Sequence, residues 1–253
     1  MQSRIVTFIF IETKKYVIIL QKNIDTVSRM CYHNSNDTVS YSLYREDKMP
    51  KISQEDVNSR KEQIINACNE LYKTMSFKEI TIKEIGNHIP FTRTTIYNYF
   101  QTKEEIFLAL LQREYEFWVN DLNTLLEENE SLTPDELSDK LAKTIEKRVL
   151  LLKLMSMNNF DMEENSRIEN LTEFKKAYGA SIKAVRMCLD KFCTNKTDFE
   201  KQTILYSFFP FMFGIYPYTF VTDKQKKAME TNRVNFVYHS VYDLTYNFLR
   251  KIL

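Results

Sequence analysis

Four segments of this chain with helical apolar spacing open on a threonine followed three residues later by a glutamate. The four are Thr81-Ile-Lys-Glu84, Thr102-Lys-Glu-Glu105, Thr133-Pro-Asp-Glu136 and Thr197-Asp-Phe-Glu200. In such a box the threonine oxygen accepts from an N-terminal amide of the helix, and the glutamate reaches back to the amide of the cap residue. Pro134 strengthens the third, because the first helical position has no use for an N–H. Only 3 glycines and 5 prolines occur among 253 residues, too few for the frequent turns of sandwiches and barrels. The sequence predicts an all-α fold from residue 53 onward.

Apolar spacing then places the helices. The first runs from 53 or 59 to 75, with Ile64, Ile65, Cys68, Leu71, Tyr72 and Met75 inward. A short one covers 81–89, with Ile82, Ile85 and Ile89 inward and Gly86 allowing a close approach. Pro90 ends it, since a residue before proline avoids helical angles. Thr92 caps a third helix of about two turns that reaches Phe100. A long helix over 103–128 carries Phe107, Leu111, Tyr115, Trp118, Leu122 and Leu125 on one face. Further helices are expected over 134–158, 165–193, 197–220 and 224–252.

Residues 1–48 are of a different kind and are expected to be an extension. IVTFIFI and YVIIL, separated by ETKK, look like two β runs of a small hairpin, and the polar HNSNDTVS follows. Glu12, Lys14 and Lys15 break the apolar part, so a secretory signal fits poorly. One hypothesis is that Met49 is the native start. Arg45-Glu46-Asp47-Lys48 can be encoded as AGG GAG GAT AAA, a purine-rich ribosome-binding sequence ahead of ATG, and the Lys, Asn, Ile, Tyr and Phe bias suggests an A+T-rich genome. N-terminal sequencing of the native protein decides it, and a product beginning at Met1 sinks the idea.

The net charge of +1 excludes a globally basic nucleic-acid binder, so any such contact must be local. The 4 cysteines (Cys31, Cys68, Cys188, Cys193) and 3 histidines (His33, His88, His239) show neither CxxC pairing nor ligand spacing, as expected of reduced thiols in a cytoplasmic protein without metal or cofactor. No apolar run approaches the roughly 18 residues that span a bilayer. No phosphate loop or nucleophile motif is visible, so no enzyme is expected.

The stretch PFTRTTIYNYF raises a conflict. Its β-branched and aromatic residues favour a strand, yet its flanks are helical. A helix, a short helix, a tight turn and another short helix make a helix-turn-helix. If Phe91, Ile96 and Phe100 anchor the third helix, Arg93, Thr94, Thr95, Tyr97, Asn98 and Tyr99 point largely outward. Arg suits guanine or phosphate, Asn adenine, the Thr methyl thymine, and Tyr hydroxyls phosphate. No acid occurs between Pro90 and Lys103.

From Arg60 to about Tyr115, the sequence IINACNELYKTMSFKEITIKEIGNHIPFTRTTIYNYFQTKEEIFLALL resembles the N-terminal DNA-binding domain of the TetR/AcrR family of bacterial transcriptional regulators. The early amphipathic helix, Thr-Ile-x-x-Ile, and Thr-Ile-Tyr-x-Tyr-Phe followed by Lys-x-x-Ile carry the likeness. The resemblance implies that Thr95, Tyr97, Tyr99 and Lys103 touch DNA, mostly its backbone. Arg93, Thr94 and Asn98 would read bases, and Thr81, Lys83 and the cap residue Thr92 would complete the interface. Pro90 stands where the family usually has the turn glycine, which implies a different turn geometry. Tyr99 replaces a frequent histidine and keeps a hydroxyl suited to phosphate.

The resemblance implies a helix-turn-helix domain over 53–102 and a helical dimerisation and effector domain over 103–253. LYSFFPFMFGIYPYTF is apolar nearly all round, as in a helix buried on several sides, and Pro210 and Pro217 should bend or interrupt it. Phe208 from this helix, with Phe236, Val237, Val241, Leu244 and Phe248 from the last, would form the face between two copies. Met155, Met157, Phe160, Met162, Phe174, Tyr178, Met187, Phe211, Met212 and Tyr216 would line an adaptable cavity, unless they are ordinary core. The expected function is a homodimeric repressor that leaves a palindromic double-stranded operator when a small apolar or amphipathic effector binds, with no membrane partner. The alternatives are a DNA-binding adaptor or nucleoid-associated protein controlled by a protein partner, and more distantly an all-helical enzyme.

Overall fold

The computed structural model describes residues 53–157 and 159–253 in full, and before them the backbone of four strands. β1 (Val6–Phe10) pairs antiparallel with β2 (Val17–Gln21), Phe8 opposite Ile19. This is the hairpin expected of the two apolar runs. A second, β3 (Arg29–Ser35) with β4 (Thr38–Tyr44), takes up the stretch read as merely polar. The expected start at Met49 lies outside the described residues. Met1–Ser59 make one compact unit and Arg60–Leu253 another.

From residue 53 the chain is helical. In order come α1 (Gln54–Thr74), α2 (Ile82–Gly86), α3 (Arg93–Ile96), α4 (Lys103–Glu128), α5 (Pro134–Glu146), α6 (Val149–Met155), α7 (Asn159–Glu164), α8 (Ile168–Phe192), α9 (Asp198–Thr219), α10 (Asp223–Thr231) and α11 (Val241–Ile252). Ser53 rather than Ser59 starts α1, its hydroxyl accepting from the Asp56 amide at 3.0 Å. Thr133 and Thr197 make full capping boxes. Thr81 and Thr102 cap their helices by the hydroxyl, but the Glu105 carboxylate turns away from the Thr102 amide to other partners.

Two expected helices are broken in two and a third starts late. The 134–158 segment stops at Lys147, because Arg148 leaves helical angles and its guanidinium pairs with Asp121 on α4 at 2.6 Å. The 165–193 segment starts instead at Ile168, after a turn over 165–167. The last is interrupted over 232–240, where Arg233 adopts a positive φ and Ser240 opens a new box with Asp243. Phe236 and Val237 therefore lie outside the final helix, contrary to expectation. By contrast α9 runs unbroken through Pro210 and Pro217.

α4 is the central element. Trp118 is fully buried on it, and its indole N–H donates to the Thr144 hydroxyl of α5 at 3.0 Å. Phe208 and Phe209 of α9 meet the Trp118 ring edge-on. α11 packs on α5 and is stapled there by Tyr242 to Asp139 and Tyr246 to Asp135. No single described helix is long and apolar enough to cross a membrane.

Candidate nucleic-acid interface

The conflict in PFTRTTIYNYF is resolved by packing. α3 is one turn of helix, followed by a tightened turn in which the Tyr99 and Phe100 amides both donate to Ile96 O at 2.9 Å. Ile96, Tyr99 and Phe100 are all buried. Their spacing is i, i+3 and i+4, the inner stripe of a helix. That burial outweighs a propensity penalty of a few tenths of a kcal/mol per residue. α2 ends at Gly86, three residues before the expected Ile89, with Asn87 as its cap. A Cβ on Gly86 would lie 3.3 Å from the Arg93 Cβ, so the glycine sets how closely α2 and α3 approach. Phe91 is half-buried beneath the Arg60 guanidinium.

Thr81, Lys83, Thr92, Arg93, Thr94, Tyr97 and Asn98 are exposed. Thr95 is half-buried, and its hydroxyl meets that of Thr92 at 3.0 Å. Thr81 is partly engaged as the cap of α2, bonded to Glu84. Two of the expected contacts are placed otherwise. Tyr99 is only 8% exposed, because it fills the i+3 position of the buried stripe. The Lys103 amine points inward, donating to Phe77 O at 2.8 Å and Ile80 O at 3.3 Å, and sits 4.1 Å from the Phe77 ring centroid. We expect Lys103→Ala to cost about 1–2 kcal/mol of stability and to leave the salt dependence of DNA binding unchanged. Urea unfolding and a salt titration check this; a salt slope lower by about one unit with unchanged stability would restore the phosphate contact.

Behind the reading face lies a link that nothing in the local sequence announces. Glu105, in the first turn of α4, is buried and receives four donors. Its Oε1 takes the Arg167 amide at 3.0 Å and Nε at 2.7 Å, and its Oε2 takes Arg167 Nη2 at 2.9 Å and the Gln101 amide at 2.7 Å. Burial would raise this carboxyl, but the Arg167 guanidinium and the Arg167 and Gln101 amides outweigh it and hold the group below its ordinary value. Arg167 Nη2 also donates to Tyr99 O at 2.8 Å, and the Thr102 hydroxyl to Asn165 O at 2.9 Å. The turn between α7 and α8 thus grips both the end of the reading segment and the start of α4. A second grip comes from Lys153 on α6, which donates to Tyr72 O at 2.7 Å over the Tyr72 ring.

A cavity of about 290 Å³ opens between α4, α7, α8 and α9. Phe160, Phe174 and Tyr178 line it, together with Tyr115, Asn159, Glu163, Lys175 and Phe213, which no sequence pattern marks. The other expected lining residues are elsewhere. Met155, Met162 and Met212 are core, and Met187 is exposed. The Met157 sulfur accepts from the Tyr72 hydroxyl, Phe211 stacks on Phe248 at 4.0 Å, and Tyr216 stacks on Phe220 at 4.6 Å. The residues expected at a dimer face differ in exposure. Phe208 is fully buried and Val241 nearly so, within a single copy. Leu244, Phe248 and Phe236 are half-buried, while Val237 is exposed.

A helix-turn-helix head on a body of packed helices defines a DNA-binding transcriptional regulator. Residues 64–110 match the model for bacterial regulatory proteins of the tetR family, and residues 112–241 match the tetracyclin repressor-like C-terminal domain. The chain belongs to the TetR family. It is similar in fold to a transcriptional regulator from Cytophaga hutchinsonii (15% identity, TM-score 0.52, covering 77% of this chain and 94% of that one). It is likewise similar to a putative TetR-family regulator from Mesorhizobium loti (15% identity, TM-score 0.51, 77% and 96%). A third is FadR from Bacillus subtilis, solved in complex with stearoyl-CoA (17% identity, TM-score 0.50, 76% and 96%). No curated protein matches the chain in sequence.

Proposed function

We propose that this regulator is a homodimeric repressor that leaves a palindromic operator when a small molecule fills the cavity between α4, α7, α8 and α9. The helix-turn-helix domain is assigned to residues 53–102 and the dimerisation and effector domain to 103–253, with 1–48 an extension. Thr81, Lys83, Thr92, Thr95 and Tyr97 approach the DNA backbone, and Arg93, Thr94 and Asn98 read base edges. The observation that carries the reading is the Arg167 link. α7 and α8 both contribute cavity wall, and the turn joining them holds Glu105 and the Tyr99 carbonyl. A ligand that spreads α7 from α8 pulls on the reading segment directly. A coupling of about 1–3 kcal/mol between the two sites is enough for useful induction.

The face between the copies is assigned to α9. Phe199, Tyr206, Pro210, Pro217 and Phe220 are exposed, and with half-buried Phe213 they fall on one side of the helix. Exposed aromatics in such a row suit a two-fold interface, and pairing would set two reading segments about 34–36 Å apart. Tyr206, 65% exposed, is the place to test it. Tyr206→Asp should convert the dimer to a folded monomer by light scattering, and a mass unchanged from wild type places the interface elsewhere.

The ligand of the Bacillus subtilis FadR suggests an acyl thioester, but a volume of about 290 Å³ is at the small end for ligand pockets and suits a compact effector better. A cysteine nucleophile at Cys68 or Cys188 is disfavoured, because burial pushes both thiols up to about 12, the reverse of activation. The proposal is tested by selecting duplexes from a random pool with the full chain. Two inverted half-sites one turn apart are expected, and a chain that enriches no sequence overturns it.

A further inference from the structure

The walls of the cavity carry an unusual balance of chemistry. Five aromatic residues line it, Tyr115, Phe160, Phe174, Tyr178 and Phe213. The faces of aromatic rings carry partial negative charge and attract cations. The polar groups lean the same way. Asn159 contributes a side-chain oxygen, Oδ1, that is buried without any hydrogen-bond partner. It is an acceptor and calls for a donor. Glu163 contributes a carboxylate, which accepts only.

One cation is already in place. The Lys175 ammonium pairs with Glu163 at 2.6 Å and lies 5.2 Å from the Phe174 ring centroid and 5.8 Å from that of Tyr178. This side chain is 48% exposed, so it reaches in from the rim and is free to withdraw into water. Glu163 stands on α7 and Lys175 on α8. The pair therefore ties together the two helices whose joining turn holds Glu105.

We propose that the cavity takes a compact organic cation bearing an aromatic ring, a protonated amine whose N–H groups can meet the Asn159 oxygen, and that it displaces the Lys175 ammonium from Glu163 and from the rings. Lys175 is a built-in occupant that closes the α7–α8 pair when no ligand is present. The inference rests on the effector-responsive reading above and adds the charge and size of the effector. An anionic ligand would gain Lys175 but would meet Glu163 and the rings of Phe174 and Tyr178, and would leave the Asn159 oxygen unsatisfied.

Calorimetry on the full chain without DNA tests this with three single-ring probes. They are 2-phenylethylammonium, its uncharged isostere propylbenzene, and the anion 3-phenylpropanoate. The ammonium is expected to bind about tenfold or more tighter than the isostere, in line with a desolvated cation–ring attraction. Glu163→Gln should weaken ammonium binding about tenfold, and Lys175→Gln should tighten it several-fold by removing the competitor. Both positions are partly exposed, so both variants are expected to fold, which circular dichroism checks. Equal binding of the ammonium and its isostere, preference for the anion, loss of ammonium binding in Lys175→Gln, or no binding by any probe would overturn the inference. Release of a selected operator duplex is read separately. Ammonium binding without release upholds the inference and overturns induction by the cavity.

Discussion

Arg167→Ala should lower the stability of the folded chain by about 2–3 kcal/mol at neutral pH, the largest single-residue effect expected here. Breaking a buried ion pair from one side commonly costs about 3–5 kcal/mol, because the remaining charge is stranded. Glu105 has no exposed side-chain surface, but Arg167 is 38% exposed, so water entering the vacated space relieves part of the cost. The pH dependence carries a distinct signature. The Glu105 carboxyl is held below its ordinary value in the folded chain, so the unfolded chain takes up its proton first as pH falls. The contribution of the link is thus fully present above about pH 4.5 and fades as pH drops through the folded value. In Arg167→Ala the carboxyl loses its main partner, burial prevails, and its titration moves upward. The gap between wild type and variant should therefore shrink at pH 3.5 in urea unfolding. A constant gap at both pH values would mean that packing, not charge, is what Arg167 supplies. Arg167→Lys should recover only part of the loss, since an ammonium cannot reproduce the two-nitrogen grip on the carboxylate and also reach Tyr99 O.

The second large effect is expected on DNA. Arg93→Ala and Asn98→Ala should each weaken binding by about 1–3 kcal/mol on the selected site and much less on a scrambled duplex, so that the ratio between the two collapses. Tyr97→Phe, which removes one exposed hydroxyl, should weaken both duplexes by a similar factor. Fluorescence anisotropy on the two duplexes at fixed salt separates these outcomes. If Arg93→Ala weakens the two equally, Arg93 is a phosphate contact and the base reading passes to Thr94 and Asn98.

What the sequence revealed and what it hid divide along a physical line. Starts governed by local hydrogen bonds were legible: α4 and α9 begin where Thr102 and Thr197 cap them. The break before α11 is equally local, written in the Ser240 and Asp243 box. It was obscured by the apolar run from Phe236 to Leu249, which was read as one helical face. Tyr99 was recoverable too, since it completes an i, i+3, i+4 stripe with Ile96 and Phe100. The break at Arg148 and the Glu105–Arg167 link were not. Each depends on a partner about 30 or 60 residues away, brought near only by the packing of α4 against its neighbours.

Phe213 has a position whose thermodynamic meaning reaches past either of its neighbourhoods. Its ring is part of the cavity wall and also sits in the row of α9 residues assigned to the second copy. On that dimer, effector occupancy and subunit association are linked functions: whatever the effector does to the association constant, association does to the effector's affinity by the same factor. If the proposed dimer and effector are coupled in this way, the half-saturating effector concentration would vary with the amount of regulator in the cell. A strain making a few copies and one making many would respond to different doses of the same signal.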